Sequence, residues 1–151
     1  MTVIPSTLPL PSRKSYPEHD PLSRAKGIAA SGMDAQIKRL QTISENLANA
    51  NVTAADPNSD PYRRMIVRFK HDQVTGKVYA IGTSPDPSDF RREHSPLDPG
   101  ADEKGFVKMS NVNPLIEMAD LRQADQSFSA CLKAYEAAVD LDKKIIDMLK
   151  A

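Results

Sequence analysis

The chain has 151 residues, of which 20 are basic and 20 acidic, so its formal net charge is zero. This balance argues against nucleic-acid binding, which needs a concentrated positive surface. The absence of tryptophan and an aromatic content of 5% argue against a large, dense core. The one cysteine, Cys131, excludes an internal disulfide and a cysteine-rich zinc site.

Residues 1–21 form a proline-rich leader that we expect to be flexible and partly extended. It has no apolar run of signal-peptide length. No other segment of the chain approaches the ~18 apolar residues that a membrane span needs. If the protein leaves the cytoplasm, we expect it to do so without a cleavable signal peptide and outside the general secretory route.

A first helix is predicted over residues 22–50, which contain no proline. Its apolar residues recur at helical spacing and form a narrow stripe: Met33, Ile37, Leu40, Ile43, Leu47 and Ala50. The stretch SENLANANVT closes this helix. Asn49 and Asn51 are predicted to end it, because asparagine tolerates the left-handed conformation found at helix ends. Asn46 lies at the edge of the stripe and is predicted to fix the register between packed helices.

A small β region is predicted between residues 51 and 113. Turn-forming residues fill 51–61, and β-branched and aromatic residues then predict a strand over 62–70. The turn HDQVTG joins it to a second strand over 77–82, which makes a hairpin. Residues 83–105 are predicted to be a long connection without a strand, followed by a last short strand over 106–109.

A second long helix is predicted from Pro114 to the end of the chain, with Asn113 as its N-cap. Steps of three and four residues along it define a heptad-like seam. This seam consists of Leu121, Ala124, Phe128, Cys131, Tyr135, Ala138, Asp142, Ile145 and Leu149, and it is flanked by Leu132, Val139 and Ile146.

The predicted fold is mainly α with a small β insert. Its long N- and C-terminal helices pair in a coiled-coil-like, antiparallel bundle, with a short β-hairpin region between them. The chain divides into the leader (1–21), the N-terminal helix (22–50), the β-containing insert with its loops (51–113) and the C-terminal helix (114–151). One helix pair buries little apolar surface relative to the chain entropy that it must offset. We therefore predict that the terminal helices are mobile in the monomer and become ordered against neighbouring subunits.

The sequence shows no arrangement typical of catalysis or of cofactor binding. The three histidines, His19, His71 and His94, lack metal-ligand spacing and are predicted to be solvated. Cys131 lies on the seam and is interpreted as a small buried hydrophobe. The basic segment YRRMIVRFK has too few aromatic residues for a nucleic-acid stacking platform, so a strand with a basic solvent face is the favoured interpretation. No metal, cofactor, small-molecule substrate or nucleic acid is expected.

Two parts of the chain resemble bacterial flagellar basal-body rod proteins. GIAASGMDAQIKRLQTISENLANANVT (27–53) and DPYRRMIVRF (60–69) are similar to the N-terminal region of flagellar axial proteins of the rod class. The segment from DEKGFVKMSNVNPLIEMADL to the end of the second helix is similar to the FlgC branch, the proximal rod proteins. The resemblance implies a structural subunit of the periplasmic rod. It would be exported by the flagellar type III apparatus and would assemble helically with its own copies and other rod proteins to transmit motor torque.

Candidate assembly residues follow from the helical spacing together with the resemblance to rod proteins. The packing seam is expected to include Leu40, Ile43, Leu47, Phe128, Tyr135, Val139 and Ile146. Arg63 and Arg64 are candidates for contacts between subunits, as are the asparagines Asn46, Asn49 and Asn51. The alternatives are another rod or rod–hook junction subunit, or a cytosolic coiled-coil adaptor; an enzyme ranks behind both.

Overall fold

A computed structural model describes residues 20–150 as two long helices that flank a small β region, which confirms the predicted fold class. The elements in chain order are α1 (Pro21–Ala48), β1 (Met65–His71), β2 (Val78–Pro85), β3 (Arg91–His94), β4 (Phe106–Met109) and α2 (Pro114–Lys150). Residues 1–19 of the predicted leader, including His19, lie outside the described residues, whereas Asp20 and Pro21, predicted as its end, form the N-cap and the first residue of α1. Neither helix is long and apolar enough to cross a membrane within the described part of the chain.

Helix α1 begins and ends with side-chain caps. The carboxylate of Asp20 accepts hydrogen bonds from the backbone N–H groups of Leu22 (3.3 Å) and Ser23 (3.2 Å). Asn49 caps the other end, where its side-chain amide donates to the Glu45 carbonyl at 2.8 Å. The helix therefore stops at the predicted asparagines, but the predicted left-handed geometry is wrong. Asn49 has φ −105°, and no non-glycine residue among those described has a positive φ.

Helix α2 begins at Pro114, as predicted, with the Asn113 side chain accepting from the Leu115 N–H at 3.0 Å. It lies antiparallel to α1, and Lys26 Nζ pairs with Asp142 Oδ2 at 2.7 Å. Five residues of α1 precede Lys26, whereas eight residues of α2 follow Asp142. The last turn of α2 therefore extends past the start of α1.

The two helices meet through small side chains. Their buried apolar residues are Ala29, Ala35 and Ile43 from α1 and Ala124 and Ala138 from α2. At Gly32 the helices approach so closely that an added methyl group would lie 2.8 Å from Cys131 Sγ. Cys131 itself is half-buried on the predicted seam. Glycine at this position thus permits the close crossing of the helices.

Strands β1 and β2 form the predicted antiparallel hairpin, with Met65 opposite Pro85 and His71 opposite Val78. Their pairing is irregular between Arg68 and Phe69. The turn contains Gly76, whose φ of 74° favours glycine. Strand β1 begins three residues later than predicted, because the backbone N–H of Arg64 donates to Asn111 Oδ1 (2.7 Å) and is therefore held by a side chain.

Strand β3 corrects the prediction that residues 83–105 lack a strand. Its residues, RREH, are all exposed and show no apolar alternation, so the local pattern gave no strand signal. Arg91 to His94 become a strand by pairing with Met109 to Phe106 of β4. The described residues therefore form two two-stranded sheets.

The two sheets occupy different places along α1. The β1–β2 hairpin packs beside α1, where the Val78 N–H donates to Ser31 Oγ at 3.2 Å. The β3–β4 sheet lies past the C-terminal end of α1, joined to the chain there by the bond from the Ala54 N–H to the Lys108 carbonyl (3.0 Å). Among the described elements, β1 and β2 make no contact with β3 and β4.

A candidate assembly site where both helices meet the hairpin

Asn46 lies at the centre of a buried polar network near the end of α1, where it is only 1% exposed. Its side-chain oxygen accepts from the Met65 N–H and from the Tyr62 hydroxyl, both at 2.9 Å. Its side-chain nitrogen donates to the Met65 carbonyl (2.9 Å) and to Glu117 Oε2 (3.0 Å). The amide therefore pairs with both backbone groups of Met65, much as a neighbouring strand would. Asn46 thereby joins α1 to β1 and to α2.

Glu117, in the first turn of α2, is fully buried. Its two carboxylate oxygens accept from Asn46 Nδ2 and, at 2.6 Å, from Arg64 Nε. A buried carboxylate without such donors would be strongly destabilising. The N-terminal end of a helix also favours a negative charge. Glu117 is therefore the acceptor that holds the start of α2 against α1 and β1.

Arg64 connects three carboxylates around this junction. Its guanidinium contacts Glu117 at 2.6 Å and both Asp86 and Asp120 at 3.2 Å. Burial alone would lower the pKa of Arg64, but hydrogen bonds to Glu117 and Asp86, together with their charges, outweigh burial and raise it. One side chain thus links the segment just before β1 to α2 and to the loop that follows β2.

Arg63 holds the same loop from the other side. Its Nη1 donates to the carbonyls of Asp86 (3.0 Å) and Ser88 (2.9 Å), and its guanidinium lies 4.1 Å from the centre of the Phe90 ring. Arg63 and Arg64 were predicted as contacts between subunits, but both bind groups within their own chain. A role for either arginine between subunits stays a prediction.

The remaining predicted residues are only partly brought together. Ile43 is buried, whereas Leu40, Leu47, Phe128, Tyr135 and Val139 are half-buried along the helix pair. Asn49 caps α1, and Asn51 is exposed just after it. Ile146 is 44% exposed near the end of α2, where α1 gives little cover, and its place in the packing seam stays a prediction.

Sequence reasoning missed Glu117 and Asp86. Glu117 interrupts the apolar run Leu115, Ile116 and Met118 just after a helix start, a signal that could have identified a buried acidic residue. No comparable signal marks Asp86, because it lies in a proline-rich loop, and only the folded chain places it beside Arg64.

An open cleft of about 320 Å³ lies beside the polar network, between α1, β1 and the start of α2. Ile43, Val67 and Phe69 line it together with the paired charges of Arg39 and Asp120. Within residues 20–150, no cluster of histidine, cysteine or acidic side chains is placed to hold a metal ion. His71 and His94 are exposed, and His94 packs edge-on against Phe106. The arrangement is that of a structural junction of paired charges.

Comparison with known proteins identifies the family. A family model described as "Flagella basal body rod protein" matches residues 28–55, and one described as "Flagellar basal body rod FlgEFG protein C-terminal" matches residues 103–148. The flagellar basal-body rod protein FlgC of Agrobacterium fabrum is 48% identical over 138 residues, covering 87% of this chain and 98% of the relative. FlgC of Aquifex aeolicus is 32% identical over 83% of this chain and 96% of its own length. FlgC of Salmonella typhimurium is 32% identical over 80% of this chain and 92% of its own length. The chain therefore belongs to the FlgC family of flagellar basal-body rod proteins.

Proposed function

We propose that the protein is a structural subunit of the proximal rod, which assembles with its own copies and with other rod proteins and transmits motor torque. Family membership supports the place in the basal body. The observation that carries the assembly is the uncovered apolar end of α2. Export through the flagellar type III apparatus and residence in the periplasm belong to the same proposal.

The end of α2 exposes a cluster of apolar side chains. Met148 is 71% and Leu149 82% exposed, and Leu141, Ile145 and Ile146 are also exposed. Contiguous exposed apolar surface of this kind marks contacts between proteins. Since α1 supplies mainly small residues to the seam, the helix pair buries little apolar surface within one subunit. Burial between subunits therefore supplements the limited burial within one subunit.

The polar junction suits a subunit that carries load. Asn46, Arg64 and Glu117 tie α1, α2 and the hairpin together through directional bonds in a buried place. Buried, fully paired polar networks rigidify the elements that they join. A torque applied to the helices would therefore be passed to the β region instead of being absorbed by a hinge. We propose that no catalysis accompanies this role.

Deletion of the gene, followed by electron cryotomography of basal bodies in the cells, tests the proposal. We expect basal bodies that stop before the rod, no hook and no swimming, with all three restored by the intact gene. Intact rods in the deletion strain would refute the assignment. Full motility, with the protein found only in the cytoplasm, would instead favour a coiled-coil adaptor.

A further inference from the structure

The outer face of the β1–β2 hairpin is basic and partly apolar. Exposure alternates along the first half of each strand, and Lys70 pairs with Tyr79 and so shares its face. The exposed residues that share one face by this alternation and register are Ile66, Arg68, Lys70, Tyr79 and Ile81, here called the basic hairpin face. Neither strand contains an acidic residue. Within residues 20–150, Arg68 and Lys70 form no ion pair.

The loop between β3 and β4 has the opposite charge. Residues 93–103, which are the end of β3 and most of the loop after it, are here called the acidic loop; they contain four acidic residues and no lysine or arginine, although Arg92 and Lys104 flank them. Leu97 in this loop is 97% exposed. The loop has a fixed shape, because Asp102 Oδ1 accepts from the N–H groups of Lys104 and Phe106, both at 2.9 Å. An exposed leucine is thus held outward on an ordered acidic loop.

The two surfaces are placed apart within one chain. The hairpin runs beside α1 back toward the start of that helix, where Arg24 donates to the Val74 carbonyl at 3.3 Å. The acidic loop lies past the other end of α1, with Gly100 packed tightly against the Ala54 carbonyl. The two sheets do not touch, so these complementary surfaces do not pair with each other within one chain. Each can instead pair with the complementary surface of a second copy.

We propose that the acidic loop of one copy docks on the basic hairpin face of the next copy, with Leu97 packed against Ile66, Tyr79 and Ile81. This contact rests on the proposed function, since it supplies one of the contacts that rod assembly requires. Two different surfaces meet, so the contact is heterologous and can repeat along an open helical assembly. The opposite charges fix the orientation and exclude a like-with-like contact.

Cysteine crosslinking in cells tests the contact directly. The test chain carries Cys131→Ser, Tyr79→Cys and Leu97→Cys and replaces the wild-type copy. We expect a ladder of covalent oligomers on a non-reducing gel, because each chain offers one cysteine to the copy before it and one to the copy after it. Either cysteine alone permits dimers at most. A matched control moves the hairpin cysteine to Val74, which is also exposed but lies in the turn, and should give about tenfold less ladder.

Charge reversal gives an independent test. Arg68→Glu with Lys70→Glu, and separately Glu93→Lys with Glu103→Lys, should each reduce rod formation about tenfold or more, since like charges would then face each other. The four changes together in one chain should restore rods at least in part, which a merely misfolded variant would not do.

The outcomes separate this contact from the proposed function. If the protein purifies with basal bodies but gives no ladder, or if the combined charge reversals are worse than either pair alone, the contact is wrong and the rod assignment stands. If the protein is absent from basal bodies, the rod assignment itself fails, and this contact fails with it.

Discussion

At the scale of single residues, the fold depends on a few polar side chains with several partners each. Asn46 makes four hydrogen bonds, two to the Met65 backbone and one each to Tyr62 and Glu117. Glu117 accepts two hydrogen bonds in this network, one from Asn46, which is buried, and one from Arg64, which is half-buried. Removing one charge from such a group leaves its partners without compensation in a largely buried place.

Replacing Glu117 with glutamine tests this dependence. The neutral amide keeps the shape of the side chain but removes the charge that Arg64 pairs with at 2.6 Å. We expect Glu117→Gln to lower the free energy of unfolding in urea by about 3 kcal/mol. Glu136→Gln, on an exposed part of the same helix, should change it by less than about 0.5 kcal/mol. Equal effects of the two substitutions would show that the network contributes nothing specific.

The network also shows what a sequence reveals about single residues. Asn46 stands out because an amide at the edge of an apolar stripe is locally unusual, whereas Arg64 was predicted only as a candidate for contacts between subunits. Their partners, Glu117 and Asp86, are 71 and 22 residues away from them along the chain. Only the tertiary fold brings these groups together, so the pattern of one segment cannot identify them.

At the scale of elements, the helix pair is set by close approach at small residues. Gly32 faces Cys131 Sγ, so any larger side chain there must push the helices apart or displace the sulfur. We expect Gly32→Val to destabilise the fold by about 1–3 kcal/mol. Adding Cys131→Ala should recover much of that loss by removing the sulfur. Urea unfolding of the four combinations measures the coupling, and strictly additive effects would contradict a contact at this crossing.

The connections between strands depend on ionised aspartates. A hydrogen bond from the Thr75 side chain lowers the pKa of Asp72, and backbone hydrogen bonds from Ser88 and Phe106 lower those of Asp86 and Asp102. A lowered pKa in the folded state means that these groups stabilise the fold above the unfolded value of 3.8 and lose that contribution as the pH falls below it.

Thermal melting followed by circular dichroism checks this pH dependence. The melting temperature should be nearly constant between about pH 7 and about pH 5 and should fall by about pH 3, with a smaller fall in Asp72→Asn. A melting temperature that is unchanged at the lowest pH would contradict the assigned role of these carboxylates.

The elements with local signals were predictable, and the element without one was not. Proline after asparagine marks the start of α2, and HDQVTG marks the hairpin turn. The strand β3 has four exposed polar residues and depends on pairing with β4, twelve residues further along the chain. Its formation is decided by a partner and not by its own pattern.

At the scale of the whole molecule, the two ends of the fold differ in the number of contacts that hold them. The polar junction and the β3–β4 sheet lie at the end of α1, whereas the opposite end consists of the hairpin turn and of two helix termini, where the end of α2 exposes apolar side chains. Such an uneven distribution of contacts implies uneven local stability. The start of α1 and the end of α2 are the parts that we expect neighbouring subunits to order.

Amide hydrogen exchange shows whether neighbouring subunits order the ends of the two helices. It is measured on the isolated protein at low concentration and on the same protein in purified basal bodies. We expect rapid exchange in the first turns of α1 and the last turns of α2 in the isolated protein, slow exchange around Asn46 and Glu117, and strong protection of both termini after assembly. Strong protection of both termini in the dilute, isolated protein would mean that the helix ends fold without neighbours.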